Sequence, residues 1–249
     1  SENTNFMSIV RFVIGCNYME LKYLLEVTEK KYPFDIDAAN KHLKDADCRV
    51  VVTNYLNGNS AYLSIKKYGW LKAMEATGSL PIATRGFCEI SGRKYIDGGL
   101  SDPLPVKRVY DWGYRNIVLL RTHTNDVKPD WNLETLYAPL FYRDNPKLQK
   151  LIMRNDKIYS RKQKYISNPP EDLKLIQVAP ETELECGVIS NNLKDIKCFP
   201  IFVSKEAYHS KNKAIFLIGD AFFAFPPTFA QGASPVSYTH LTLPTNREV

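Results

Sequence analysis

The sequence has five cysteines, Cys16, Cys48, Cys88, Cys186 and Cys198, and no Cys-x-x-Cys pair among them. The odd count and wide spacing argue against a disulfide framework and against a cysteine zinc site. Its four histidines, His42, His123, His209 and His240, fall into no metal-ligating spacing either, so no metal is expected. No apolar run approaches the ~18–20 residues that a membrane span requires. Ser1 to Ser8 is too polar for a secretion signal. Two glycine motifs are also missing: Gly-x-Gly-x-x-Gly, which cradles a dinucleotide pyrophosphate, and Gly-x-Ser-x-Gly, which presents a nucleophilic serine. These absences lead us to expect a cytoplasmic protein without a cofactor. The first residues, Ser1-Glu2-Asn3, lack an initiator methionine, which either processing or a gene fragment would explain.

What is present is ordinary for a folded chain: 44% hydrophobic and 24% charged residues over 249 positions, enough to bury a core. Helices are expected over Met19 to Lys31, from Asp35 or Asp37 to about Leu43, and over Trp70 to Ala76. Arg49-Val50-Val51-Val52 reads as a buried strand. Asn57-Gly58-Asn59 turns the chain into a return strand from Ala61, and Ser91-Gly92-Arg93 closes a second hairpin between Phe87–Ile90 and Lys94–Ile96. A short helix from Pro105 to Asp111 precedes a strand over Asn116 to Leu120, and Leu173 to Val178 supplies another. Thr124 to Pro146 reads as polar and irregular. The alternation of helices with apolar strands predicts an α/β layered domain with at least partly parallel strands.

The net charge is +6, and the stretch Lys147 to Lys164 alone holds seven cations (Lys147, Lys150, Arg154, Lys157, Arg161, Lys162, Lys164) against Asp156. Leu148, Leu151, Ile152, Tyr159 and Ile166 recur at helical spacing beneath them, so this is read as one basic amphipathic helix. It is either a solvated outer face or a contact for anionic lipid head groups, which would make the protein a peripheral membrane one. Nothing points to nucleic acid.

Tyr95-Ile96-Asp97-Gly98-Gly99 places a carboxylate at a strand end, where α/β folds carry their chemistry, followed by glycines that allow close approach of another backbone. Asp97 is the candidate catalytic residue, as a general base; a plain Asp-Gly turn is the alternative. Ala76-Thr77-Gly78-Ser79-Leu80-Pro81 followed by Tyr95-Ile96-Asp97-Gly98-Gly99-Leu100-Ser101-Asp102-Pro103-Leu104-Pro105-Val106 resembles the second half of the bacterial patatin-like phospholipases. Tyr32-Pro33-Phe34-Asp35, Asn57-Gly58 and Tyr142-Arg143 follow in the order of that family, and the likeness runs from about Tyr18 to about Lys197. The resemblance implies a patatin-like layered α/β fold with a largely parallel central sheet, incomplete here because the chain is truncated at its N-terminus. It also implies a cofactor-free lipid acyl hydrolase in which Asp97 activates a serine directly, with a lipid or fatty-acyl ester as substrate. The serine and the oxyanion loop of that family have no counterpart in the chain.

A second, shorter likeness lies near the other end. Ile215-Phe216-Leu217-Ile218-Gly219-Asp220-Ala221, with Pro226-Pro227-Thr228-Phe229-Ala230-Gln231-Gly232-Ala233, resembles the Gly-Asp segment of FAD-dependent aromatic-ring monooxygenases. There the aspartate holds the ribityl chain. Without a pyrophosphate cradle no FAD binding is expected. The resulting division is residues 1–197 as a hydrolase domain lacking its N-terminal part, 198–234 as a monooxygenase-like fragment, and 235–249 as a non-native tail.

Overall fold

The computed structural model describes residues 17–31, 35–43, 46–84, 86–121, 124, 132–180 and 216–218. Helices and strands are mixed along the chain. Internal contacts divide it into two units, one of Ser1–Pro105 with Asp130–Lys164 and the other of Val106–Pro129 with Tyr165–Val249.

The first unit is built on a four-stranded sheet in the order β2-β1-β4-β3, where β1 is Arg49–Asn54, β2 Ser60–Ser64, β3 Cys88–Ile90 and β4 Arg93–Asp97. Every pairing in it is antiparallel, where a largely parallel sheet was expected. The reason lies in the connections. The Asn57–Asn59 turn returns β2 directly onto β1, and Ser91 (φ 51°) with Gly92 (φ 73°) returns β4 onto β3. The two-residue Ser91-Gly92 turn, with positive φ at both positions, matches the twist of antiparallel strands, and neither connection is long enough to hold a crossover helix. The valine run of β1 is half-buried rather than enclosed on both faces.

Helices α1 (Leu21–Lys31), α2 (Ile36–His42), α3 (Ile65–Tyr68) and α4 (Trp70–Thr77) belong to the same unit. Asp35 caps α2 through a side-chain oxygen that accepts the Ala38 N–H at 2.8 Å. The sheet face buries Val52, Leu63, Cys88, Ile90 and Tyr95 together with Ala76 of α4. Each large side chain so removed from water contributes roughly 1.5–3 kcal/mol. That burial is what holds the strand end carrying Asp97.

Two expectations for the following stretch change. Residues Asn132–Phe141 form a helix, α6, inside the region read as irregular; Pro139 within it disguised its period. The basic stretch is two helices rather than one, α7 (Pro146–Ile152) and α8 (Asn155–Ser167), broken at Met153 and Arg154. Asn145 starts α7 by accepting the Leu148 N–H at 3.1 Å, with Pro146 in the first helical position.

The second unit contains α5 (Val106–Asp111) and a parallel sheet in the order β6-β5-β7, with β5 at Asn116–Leu120, β6 at Lys174–Val178 and β7 at Phe216–Ile218. Ile117 stands opposite Leu175 on one side and Phe216 on the other. Arg115 donates to Asp172 at 2.7 Å beside this sheet, and Tyr110 donates to the same carboxylate at 2.8 Å. β7 lies within the 198–234 piece; Asp220 and the 235–249 tail fall outside the described residues.

Candidate active site

Asp97 is the last residue of β4, opposite Val52 of β1, and is 3% exposed. Its backbone is held from both sides. Its N–H donates to the Ser79 carbonyl at 2.9 Å, and its carbonyl accepts the Thr53 hydroxyl at 2.7 Å. Thr53 has then given its proton away, so the Ser101 hydroxyl, 2.8 Å from Thr53 Oγ1, is the donor in that contact. One oxygen of the carboxylate, Oδ1, accepts the Gly99 N–H at 3.0 Å. That bond fixes the carboxylate plane and caps the 3-10 turn Gly98–Leu100.

Gly98 is required by close approach rather than by positive φ. A Cβ built there would stand 2.2 Å from the Val51 carbonyl oxygen and 2.7 Å from the Val51 Cβ. The backbone of β1 therefore presses on the Asp97 turn, and no side chain fits between them.

Two further residues clamp the turn from α8. Asn155, 1% exposed, donates its amide to the carbonyls of Gly99 (3.1 Å) and Leu100 (3.2 Å). Two turns along the same helix, Lys162 Nζ stands 2.6 Å from Asp102 Oδ1. The Asp102 side chain is 1% exposed against 25% for Lys162, and its other oxygen accepts the Tyr62 hydroxyl. The loop after Asp97 is thus tied to β1 by Thr53, to β2 by Tyr62 and to α8 by Asn155 and Lys162.

Sequence reasoning found Asp97 and passed over Thr53, Tyr62, Asn155 and Lys162 as partners. Asp102 was visible in the quoted motif, but nothing local marked it as buried. Two nearby serines direct their hydroxyls elsewhere, Ser79 to the Glu75 carbonyl at 2.7 Å and Ser101 to Thr53. Among the described residues, no three His, Cys, Asp or Glu side chains gather in a group able to hold a metal ion. No described helix is long and apolar enough to cross a membrane. The arrangement holds a carboxylate in a dry, rigid place at a strand end, suited to taking a proton from a hydroxyl brought to it.

The profile of a domain of unknown function, DUF6363, matches residues 145–198. That span contains Asn155 and Lys162, the two residues by which α8 grips the Asp97 turn. The chain is also similar to the protein named "Uncharacterized protein YjjU" of Escherichia coli (strain K12), 25% identical over 198 residues, which cover 77% of this chain and 54% of that protein. The chain therefore spans about half the length of the curated relative it matches.

Proposed function

We propose that this chain is the aspartate-bearing part of a patatin-like acyl hydrolase, a layered α/β enzyme that cleaves lipid or fatty-acyl esters with a Ser–Asp dyad. The observation that carries the reading is Asp97 itself: a carboxylate buried at a strand end, oriented by the Gly99 N–H and fixed through its backbone to Ser79 and Thr53. A carboxylate that served only a surface turn would not need this enclosure.

In this reading Asp97 takes the proton from a serine hydroxyl as the serine oxygen attacks the ester carbonyl. The proton then passes to the departing alkoxide, so an alcohol leaves and an acyl-serine remains. Water, deprotonated by the same carboxylate, attacks the acyl-serine; the proton returns to the serine oxygen as its bond to the acyl carbon breaks, and the fatty acid is released. The serine and the oxyanion donors come from outside these 249 residues, since no Gly-x-Ser-x-Gly occurs within them. The 249 residues alone are accordingly silent, because loss of the nucleophile from a serine hydrolase costs on the order of 10⁶ in turnover. The enzyme works in the cytoplasm and meets its substrate at an anionic membrane surface.

The test uses the product of the complete reading frame that contains this sequence, assayed on 4-nitrophenyl butyrate and on phospholipid vesicles. Asp97→Asn is expected to lower turnover by roughly 10⁴-fold while leaving the far-ultraviolet circular dichroism unchanged. Equal rates for the parent and Asp97→Asn sink the reading.

A further inference from the structure

We propose that the outer faces of α6, α7 and α8 form one membrane-docking surface, in which Leu136 and Leu140 insert among acyl chains while the cations of α7 and α8 hold anionic head groups.

Helical geometry decides which side chains face outward. Residues two apart on a helix point about 200° apart, nearly opposite. At α6 and just beyond it, Ala138 and Tyr142 are buried, so Leu136 and Leu140 point outward, and they are 69% and 60% exposed. Tyr137, between them, is also exposed. On α7, Leu148 and Ile152 are buried, so Lys150 points outward. On α8, Tyr159 and Ile166 are buried, so Lys157, Arg161 and Lys164 point outward. Lys157, Ser160, Arg161 and Lys164 line one shallow depression together with Asp156. All of these residues belong to the first unit except Ile166, which lies where α8 runs on beyond it.

Charge complementarity names the occupant. With Lys162 turned to Asp102, six cations remain against one acid over Lys147 to Lys164, and they suit any phosphate-rich surface. Two leucines standing in water on the adjoining helix suit an anionic bilayer, which takes both cation and apolar side chain; a polynucleotide uses only the cations. The inference rests on the proposed hydrolase reading only in naming where the enzyme would meet its substrate. Vesicle binding needs no serine, so the two readings fail separately.

The experiment is co-sedimentation of the 249-residue chain with vesicles of phosphatidylcholine alone or mixed equally with phosphatidylglycerol. Binding is expected to the mixed vesicles, weakening as salt rises from 0.05 to ~0.5 M. Lys157→Glu with Arg161→Glu and Lys164→Glu is expected to abolish it. Leu136→Ser with Leu140→Ser is expected to weaken it by on the order of tenfold or more, with circular dichroism unchanged because both positions are exposed. A Leu136→Trp chain is expected to show tryptophan fluorescence quenched by brominated acyl chains. The proposal is overturned if the leucine variants bind as tightly as the parent and Leu136→Trp is not quenched, which leaves a purely electrostatic contact. It is equally overturned if the parent ignores mixed vesicles while binding a soluble polyanion such as heparin.

Discussion

Lys162 Nζ stands 2.6 Å from Asp102 Oδ1, joining the basic helix α8 to the loop that leaves Asp97. The two ends differ in wetness, Asp102 being enclosed and Lys162 a quarter exposed. Removing one end of such a pair is therefore asymmetric. Lys162→Met leaves a buried carboxylate with Tyr62 as its hydrogen-bond donor and no counter-ion, and is expected to cost about 3 kcal/mol. Asp102→Asn keeps an acceptor for Tyr62 and lets Lys162 turn to water, so about 1 kcal/mol is expected. Urea unfolding of the two variants checks the order. If Lys162→Met is the milder of the two, the pair is screened by solvent and contributes little.

Gly98 gives a second, sharper contrast. Gly98→Ala forces a Cβ to 2.2 Å from the Val51 oxygen, so β1 and the Asp97 turn must part. A loss of at least about 4 kcal/mol is expected, or failure to fold. Gly69, with φ +80° and nothing within 4 Å of a built Cβ, has strain as its only obstacle. At φ 80° and ψ 159°, a region that is essentially glycine's alone, Gly69→Ala should cost roughly 1–3 kcal/mol. Comparable losses for the two would mean that the approach of β1 to the turn is soft.

The difference between what the sequence disclosed and what it hid follows the range of the interaction. Ser91-Gly92 announced the β3–β4 hairpin, and Asp35 or Asp37 the start of α2, of which Asp35 is the cap, because turn and cap chemistry acts over a few residues. Asp97 at a strand end followed from the same local logic. Strand direction did not: the valine run of β1 is equally good chemistry for a parallel strand, and only the turn lengths decide. Pro139 hid α6, since proline within a helix is penalised by every local rule and tolerated through tertiary packing. The clamp on the turn was illegible because Asn155 and Lys162 reach it from residues 56 and 60 positions beyond Gly99 and Asp102. In sequence both sit among the cations of what reads as one continuous amphipathic helix with its basic face turned outward.

Alkaline pH should weaken the fold through the half-buried Cys48 thiol and the buried Cys88 thiol. Burial pushes Cys48 up to about 12, with Asp47 adding to it, and Cys88 up to about 11, with Glu75 adding to it. In the unfolded chain both ionise near 9. Above that pH the unfolded state loses protons that the folded state keeps, so stability is complete below pH 9 and falls as pH rises toward 11 and 12. The slope approaches about 1.4 kcal/mol per pH unit for each thiol. Burial pushes the Tyr142 phenol up as well and adds to the trend. Urea midpoints at pH 8 and pH 10.5 should differ, and Cys48→Ala with Cys88→Ala should flatten the difference. An unchanged slope in that double variant assigns the alkaline loss to other groups.

Asn155 carries the last prediction, because it ties the Asp97 turn to α8 with two bonds from a single amide. Its donors meet the Gly99 and Leu100 carbonyls at 3.1 and 3.2 Å in a buried place. Asn155→Ala strands both acceptors away from water, at about 1–3 kcal/mol for each buried group left unsatisfied. Asn155→Asp is nearly the same shape but replaces the donors with a carboxylate facing two carbonyl oxygens. It should therefore be the more damaging of the two near neutral pH and recover part of its stability in acid, where the protonated form regains one donor. A bystander role makes the opposite forecast, with Asp tolerated and Ala costly through lost volume. Urea unfolding of both variants at pH 7 and pH 4.5 separates the two cases. In the complete gene product, the same Asn155→Ala should lower turnover more than it raises KM, since a loosened turn misplaces the base without touching the binding of substrate.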